Sequence, residues 1–135
     1  MNIEKILKDN PLFSYIPGNI IKSIVPFFKE KKITRSNPAI QMNSPDNCFF
    51  IIAAGKVKVH YIQDIDQEFK NGDYFSETVL FHQKSMVQHA FPIGEYAIVL
   101  SIENRDFFHC LEAYPLVATI LTNIIADRLG SHGIA

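Results

Sequence analysis

The stretch that decides the fold is Asn71–Leu80, with the sequence NGDYFSETVL. Its first three residues are typical of a tight turn. Ser76 is a suitable N-cap for one short helical turn containing Glu77. Because the first N–H groups of a helix lack intrahelical partners, such a turn is a natural place to bind an anion. Lys84 and the hydroxyl of Ser85 follow closely and would close over the same anion. The stretch therefore predicts a phosphate cradle.

Short apolar runs separated by turn residues lie on both sides of this stretch. Lys56–Tyr61 alternates polar and apolar side chains, which indicates a strand with one buried face. Gly55 can adopt the positive φ that a tight hairpin needs, so a hairpin is predicted there. Four further strands are predicted, at Cys48–Ala53, Gln67–Phe69, Met86–Phe91 and Tyr96–Ile102. Several short strands at near-regular spacing favour a sandwich or a barrel-like roll.

Helices are predicted at both ends of the chain. Ile3, Ile6 and Leu7 have helical spacing within Met1–Lys8, and a second short helix is predicted over Pro17–Phe28. Asn104 can cap a helix that continues to Cys110, and a longer helix begins at Pro115. The apolar face of that last helix consists of Val117, Ile120, Leu121, Ile124, Ile125 and Leu129. The order of helices, strands and helices predicts an α+β fold.

The size and charge of the chain exclude several classes of protein. Its 135 residues fit one domain, 1–135, and 47% of them are apolar. The net charge of −1 gives no electrostatic footprint for nucleic acid, and the basic stretch Lys29–Arg35 is interpreted as the solvated face of a strand. Cys48 and Cys110 are too few for a disulfide framework. With no signal segment and no apolar run of about 18 residues, a cytoplasmic protein without membrane contact is expected.

The stretch resembles a known motif, the phosphate-binding cassette of cyclic-nucleotide-binding domains. That pattern is Gly-Asp-x-Phe-Gly-Glu-x-Ala-Leu, with Arg-Ser/Thr-Ala after a variable loop. The residues that match in register are Gly72, Asp73, Phe75, Glu77 and Leu80. The resemblance extends over roughly residues 11 to 129. It implies an antiparallel β-roll of the double-stranded β-helix or jelly-roll type, flanked by N-terminal and C-terminal helices, as in the sensor domain of catabolite-activator-like bacterial transcriptional regulators.

The resemblance also implies a ligand site. In the family, the cassette backbone approaches the cyclic phosphate, the glutamate bonds the ribose 2′-hydroxyl, and an arginine grips the phosphate. Here the implied ligand-binding residues are Gly72, Phe75, Ser76, Glu77, Thr78, Val79, Lys84 and Ser85. This chain departs from the pattern at three positions, with Ser76 for glycine, Val79 for alanine and Lys84 for arginine. Lysine keeps the charge but loses the planar two-point grip of arginine.

The function implied is that of a regulatory domain that senses a small anionic effector, cAMP or cGMP. Its C-terminal helix would pass the signal to a downstream, transcriptional output, with no helix-turn-helix domain in this chain, and would support a homodimer. Two alternatives are open: a ligand-free interaction module, or a haem sensor of diatomic gases. His82, Cys48, His89 and Met86 are the candidate haem ligands. No nucleophile with an adjacent base is apparent, so no enzyme is expected, and no spacing indicates a metal site.

Overall fold

The computed structural model describes residues 2–40, 47–76 and 86–131, with side chains described as far as residue 127 in the last range. The chain divides into two compact units. One is Phe28–Asn104, and the other combines Met1–Phe27 with Arg105–Ala135. The predicted residues Glu77, Thr78, Val79, Lys84 and Ser85, and with them His82, lie outside the described residues.

The unit Phe28–Asn104 is built on one antiparallel sheet. Its strands are β1 (Lys29–Ile33), β2 (Cys48–Tyr61), β3 (Asp66–Lys70), β4 (Tyr74–Phe75) and β5 (Val87–Glu103). The order is β1-β5-β2-β3, and β4 also pairs with β2. The pairing of β2 with β5 runs from Cys48 opposite Glu103 to Tyr61 opposite Val87. The predicted antiparallel roll is therefore confirmed, although the sheet does not close into a barrel.

The predicted hairpin at Gly55 is wrong, because Gly55 lies inside the 14-residue strand β2. Its φ is +90°, as expected for glycine, but the register with β5 shifts just before it, between Ile52 and Ala54, and across it, between Ala54 and Lys56, which marks bulges. A Cβ at Gly55 would lie 3.2 Å from the Cβ of Ala97. The glycine therefore allows the two longest strands to bend and approach each other closely.

Burial changes along β2: residues 49–52 are buried on both faces of the sheet, whereas farther along only one face is buried. Val57 and Val59 are fully buried while Lys56 and Lys58 are exposed, which confirms the predicted alternation. The inner core of the roll consists of Ile33, Phe50, Ile52, Val57, Val59, Phe75, Val87, Ala90, Ala97 and Val99. On the opposite face of β2 and β5, Phe49, Ile51, Leu100 and Ile102 are also buried.

The other unit is helical. It contains α1 (Ile3–Asp9), α2 (Gly18–Ile24), α4 (Pro115–Ser131) and most of α3 (Asn104–Ala113). The Asn2 side chain caps α1 by accepting from the Lys5 N–H at 3.1 Å. The chain after α2 tightens into a 3₁₀ turn at Val25–Phe27, because Pro26 cannot continue an α-helix. The predicted helices are thus confirmed with bounds shifted by a few residues.

The last helix buries one stripe of its surface. Val117, Leu121 and Ile125 recur every four residues and are each at most 3% exposed. Ile120 and Ile124 are half-buried beside them, while Leu116 is 52% exposed. Within the described part of the chain, no helix combines the length and apolar character that crossing a bilayer requires.

Candidate functional site

The turn that begins the predicted cassette is held by its own backbone and by one carboxylate. The Asp73 N–H donates to the Lys70 carbonyl at 2.9 Å, and Gly72 between them has a φ of +87°. A positive φ at the third position of such a turn is the reason glycine is favoured there. The Asp73 Oδ2 accepts from the Lys70 N–H at 2.8 Å. Gly72 and Asp73 are therefore explained by the turn itself.

The same turn is fastened to the middle of β2. The Gly72 N–H donates to the Ile52 carbonyl at 2.9 Å, and the Asp73 carbonyl accepts from the Ile52 N–H at 2.9 Å. The chain then enters β4, where Phe75 lies opposite Phe50 and Tyr74 opposite Ile51. These bonds fix the position from which the predicted cassette starts.

Phe75 is part of the core of the roll. Its side chain is 1% exposed, and its ring stacks on Phe50 with centroids 5.0 Å apart and lies 5.8 Å from that of Phe69. Such burial fits the interpretation of Phe75 as a core ring that positions the chain after it. Its predicted place in a ligand site stays a prediction.

Ser76 holds a backbone conformation that serine rarely adopts. Its φ is +65° and its exposure is 4%. Glycine adopts a positive φ without steric cost, whereas a Cβ makes it unfavourable. Ser76 stands where the cassette pattern has glycine, so the residue has changed while the backbone conformation is the one glycine would supply. Of the predicted site residues, the described ones are thus Gly72, Phe75 and Ser76, and Ser76 directly follows the end of β4 at Phe75.

A cavity of about 180 Å³ lies in the same unit and was not predicted. We call it the roll-end cavity. Its described lining consists of Lys29, Lys31, Ala39, Ile40, Cys48, Phe50, Ser101 and Glu103. The signal was present in the sequence, because Lys29 and Lys31 alternate with Ile33 and must share its face of β1. Lys31 is half-buried, so the interpretation of the basic stretch as solvated does not hold for that residue.

A polar cluster occupies the exposed face at the other end of β2. The His60 Nδ1 lies 2.5 Å from Asp66 Oδ1, and Lys58 Nζ lies 3.5 Å from Asp66 Oδ2. The hydrogen bond with His60, with a smaller contribution from the charge of Lys58, lowers the pKa of Asp66 below its ordinary value of 3.8. Asp64 and His89 lie near the same imidazole. Among the described residues, no three or more histidine, cysteine, aspartate or glutamate side chains are grouped so that they could hold a metal ion.

The described candidates for haem ligation do not form one set. Cys48 begins β2 opposite Glu103, whereas His89 pairs with His60 near the far end of that strand. Cys48 and His60 are twelve residues apart along β2, which corresponds to at most roughly 40 Å measured along the strand. Met86 is 39% exposed and its carbonyl accepts from the Ile62 N–H, near the His89 end.

Comparisons with known proteins give a likeness in structure alone: neither the family models nor the curated proteins contain a match. The N-terminal domain of a transcriptional regulator from Streptomyces coelicolor A3(2) is similar with a TM-score of 0.73 and 20% identity, covering 95% of this chain and 92% of that one. The catabolite activator protein of Thermus thermophilus is similar with a TM-score of 0.72 and 18% identity, covering 93% of this chain and 61% of that one.

A third similar structure comes from Trypanosoma brucei. It is the regulatory subunit of a cAMP-independent protein kinase A, in a triple variant bound to cAMP, with a TM-score of 0.71, 15% identity, and coverage of 93% of this chain and 45% of that one. This chain thus spans less than two thirds of two of these three proteins. The three likenesses extend over 93–95% of this chain and therefore include both its sheet and its helices. The chain has the β-roll fold of the cyclic-nucleotide-binding domains.

Proposed function

We propose that residues 1–135 form one sensor domain for a small anionic effector, and that this effector is a cyclic nucleotide, cAMP or cGMP. The segment from Gly72 to Ser85 would hold it, with Glu77 on the ribose and Lys84 on the phosphate. The observation that carries the proposal is the backbone of Ser76, which is buried and has a φ of +65°. Strained backbone of this kind persists only where its surroundings impose it, and it concentrates at ligand sites.

The environment of Ser76 explains how the strain would be maintained. The residue follows Phe75, whose ring stacks on Phe50, and the turn before β4 is bonded twice to Ile52. Both anchors lie in the core of the roll, so the chain is delivered to position 76 in a fixed direction. A backbone that is already fixed binds an anion more tightly, because less ordering is needed when the ligand arrives.

The trypanosome protein supports the view that the departures from the cassette matter. Its regulatory subunit is described as cAMP-independent, and the variant found with cAMP carries three substitutions, one introducing an arginine and one replacing valine by alanine. This chain has Lys84 where the cassette pattern has arginine. Arginine for Lys84 is therefore a natural change to make here, and the cassette pattern itself adds glycine for Ser76 and alanine for Val79.

Calorimetric titration of the chain with cAMP and cGMP tests the proposal, with 5′-AMP as a control for the cyclic phosphate. Binding of a cyclic nucleotide supports it, and Lys84→Ala should then weaken binding by about 1–3 kcal/mol, the range for a lost charged hydrogen bond. Lys58→Ala, on the exposed face of β2, is the matched control and should leave the affinity unchanged.

A ligand-free interaction module is the second candidate. It is favoured because Ser76 is buried and has a Cβ where the cassette pattern has glycine, at the point where the backbone would approach a ligand. The combined variant Ser76→Gly, Val79→Ala, Lys84→Arg separates the two candidates. If the parent chain gives no heat with millimolar nucleotide while this variant binds cAMP, the cyclic-nucleotide proposal for the natural chain is wrong and the second candidate stands.

The signal would leave through α4. Val117, Leu121 and Ile125 are buried, whereas Leu116 is exposed and Ile120 half-buried, so apolar surface is available to a second copy of the chain. We propose a homodimer formed through α4, a transcriptional output beyond it, a cytoplasmic location and no enzymatic activity. Light scattering with and without the effector measures whether the chain is a dimer. The Leu116→Glu variant should shift a dimer towards monomer.

A further inference from the structure

We propose that the roll-end cavity is a second binding site, which takes a small monocarboxylate. Its described lining contains none of Gly72, Phe75 and Ser76, so it goes beyond the effector site proposed above. The register of three strands, the excess of positive over negative side chains in the described lining and the cavity volume all support this assignment.

Strand register places polar side chains on the face that elsewhere forms the core. Lys29 lies opposite Ser101, and Phe50 lies opposite Ser101 from the other side. Because side chains alternate along a strand, Lys29 and Lys31 share the face of Ile33, which is fully buried. Cys48 lies opposite Glu103 on this same face. The inner face is thus apolar over most of its length and charged at one end.

The described lining of the cavity carries a net positive charge. Lys29 and Lys31 contribute two positive charges, and Glu103 contributes one negative charge. Lys31 Nζ donates to the Pro38 carbonyl at 3.4 Å, its one hydrogen bond within the described residues. An ammonium has three N–H donors, so donors of this half-buried lysine are available to an anion. A hydrogen bond between charged groups is roughly twice as strong as a neutral one.

The remaining walls favour an organic anion over an inorganic one. Ala39, Ile40 and Phe50 give the cavity an apolar side. The segment with Ala39 is held against β5, because the Ala39 N–H donates to the Ala90 carbonyl and the Ala90 N–H donates to that of Ile40, each at 3.0 Å. A volume of about 180 Å³ is close to that of an engineered cavity of about 150 Å³ that binds benzene, a ligand of six carbon atoms. A carboxylate with a short alkyl chain, of about six non-hydrogen atoms, fits this size.

Cys48 provides a reporter inside the cavity. It is half-buried and lines the cavity, whereas Cys110, the other cysteine of the chain, is buried. In the Cys110→Ala variant, alkylation by neutral iodoacetamide therefore follows Cys48 alone. Butyrate is the probe, and n-butylamine, 1-butanol and sodium chloride at equal concentration test charge, apolarity and ionic strength. We expect butyrate to slow alkylation saturably, with half-protection at about 1–10 mM, the range for so small a ligand.

Two lysine variants give the matched comparison. Lys31→Met keeps the aliphatic stem and removes the charge, and it should raise the half-protecting concentration at least about tenfold. Lys32→Met is the control variant. Lys32 is exposed on the opposite face of β1, and its Nζ lies 4.6 Å from the centroid of the Tyr96 ring. That variant should be protected as well as the parent.

Titration of the Ile40 methyl signals by NMR is a second readout that needs no thiol reaction. Absence of both protection and methyl shifts overturns the proposal, as does equal protection in Lys31→Met and in the parent. Stronger protection by phosphate than by butyrate overturns the carboxylate assignment. Cyclic-nucleotide titrations of the same samples keep the two proposals apart, because either site can fail while the other binds.

Discussion

The ring of Phe50 stacks almost parallel on the ring of Phe75, at an interplanar angle of 14° and a centroid distance of 5.0 Å. Phe50 also lines the roll-end cavity, while Phe75 precedes the strained Ser76. The pair therefore connects the two candidate sites through direct side-chain contact within the core of the roll.

Removal of one ring tests the structural weight of this pair. Phe75→Ala should lower the free energy of unfolding by about 3–5 kcal/mol, because it deletes a buried ring and leaves a cavity. Phe91→Ala removes a half-buried ring that stacks on His89 at 5.4 Å and should cost clearly less. Urea unfolding followed by circular dichroism measures both. Equal losses would mean that the Phe50–Phe75 stack has no special role.

Ser76→Gly should stabilise the fold. The substitution removes a Cβ from a residue at a φ of +65°, and the relief of about 1 kcal/mol exceeds the entropy that glycine adds to the unfolded chain. Ser76→Val should be destabilising, since a branched side chain is least tolerant of positive φ. Asp64→Gly, at an exposed residue with a φ of +62°, controls for backbone relief away from the site. If Ser76→Gly lowers the free energy of unfolding, the serine side chain makes a contact that stabilises the fold by more than the backbone strain costs.

Gly55→Ala should cost about 2 kcal/mol of unfolding free energy. Its φ of +90° is unfavourable for alanine, and the new Cβ would lie 3.2 Å from that of Ala97. Gly94→Ala separates the two effects, because Gly94 has a φ of +91° but no heavy atom within 4 Å of the added Cβ. If both variants unfold at the same urea concentration, the close approach to Ala97 contributes nothing.

Acid should weaken the link between β2 and β3 through Asp66. Its pKa is lower in the folded chain than the ordinary 3.8, so its ionised form stabilises the fold at higher pH. That contribution is complete well above pH 3.8 and is lost as the pH falls through the lowered pKa. Asp66→Asn should lack this part of the acid dependence while retaining the rest. Parallel stability curves for the two proteins between pH 2 and 5 would contradict the assignment.

Alkali should act through Cys110 in the opposite direction. Burial, with a smaller effect of the Asp106 carboxylate, raises the pKa of the Cys110 thiol from 9.0 to about 11. The stabilising contribution of the neutral thiol is therefore complete below pH 9 and is lost as the pH rises towards 11. Cys110→Ala should remove this component of the pH dependence, which thermal unfolding between pH 8 and 11 measures. An unchanged alkaline profile in the variant would assign the loss to other groups.

The sequence predicted the fold class and the helices well, because their signals are local. Pro26 and Pro115 mark a helix end and a helix start, and the alternation over Lys56–Tyr61 gives the buried face of β2. The continuity of the two long strands was not predictable in the same way. A glycine with positive φ is as suitable for a bulge as for a hairpin, and the choice at Gly55 depends on the register of β5.

A proline within β5 and the pairing of β1 with β5 account for two further differences between the predicted and the observed structure. Pro92 lies within β5 opposite Val57, although proline ordinarily indicates a break in a strand, so β5 was predicted as two shorter strands. Lys31 was assigned to solvent from its charge, while its face is set by the pairing of β1 with β5. The turn that precedes the predicted cassette could be located from the sequence, because the turn chemistry of Gly72 and Asp73 is local.

The pairing of β1 with β5 brings together residues about seventy positions apart in the chain, as in Lys29 with Ser101. Most rungs between β2 and β5 also join distant residues, whereas the β2–β3 hairpin is local. Non-local contacts must pay the entropy of closing long loops before they give any stability in return, so such topologies fold in milliseconds to seconds. The roll is therefore expected to assemble slowly for its size, beginning at the β2–β3 hairpin and completed only when the C-terminal half of β5 has found its place between β1 and β2.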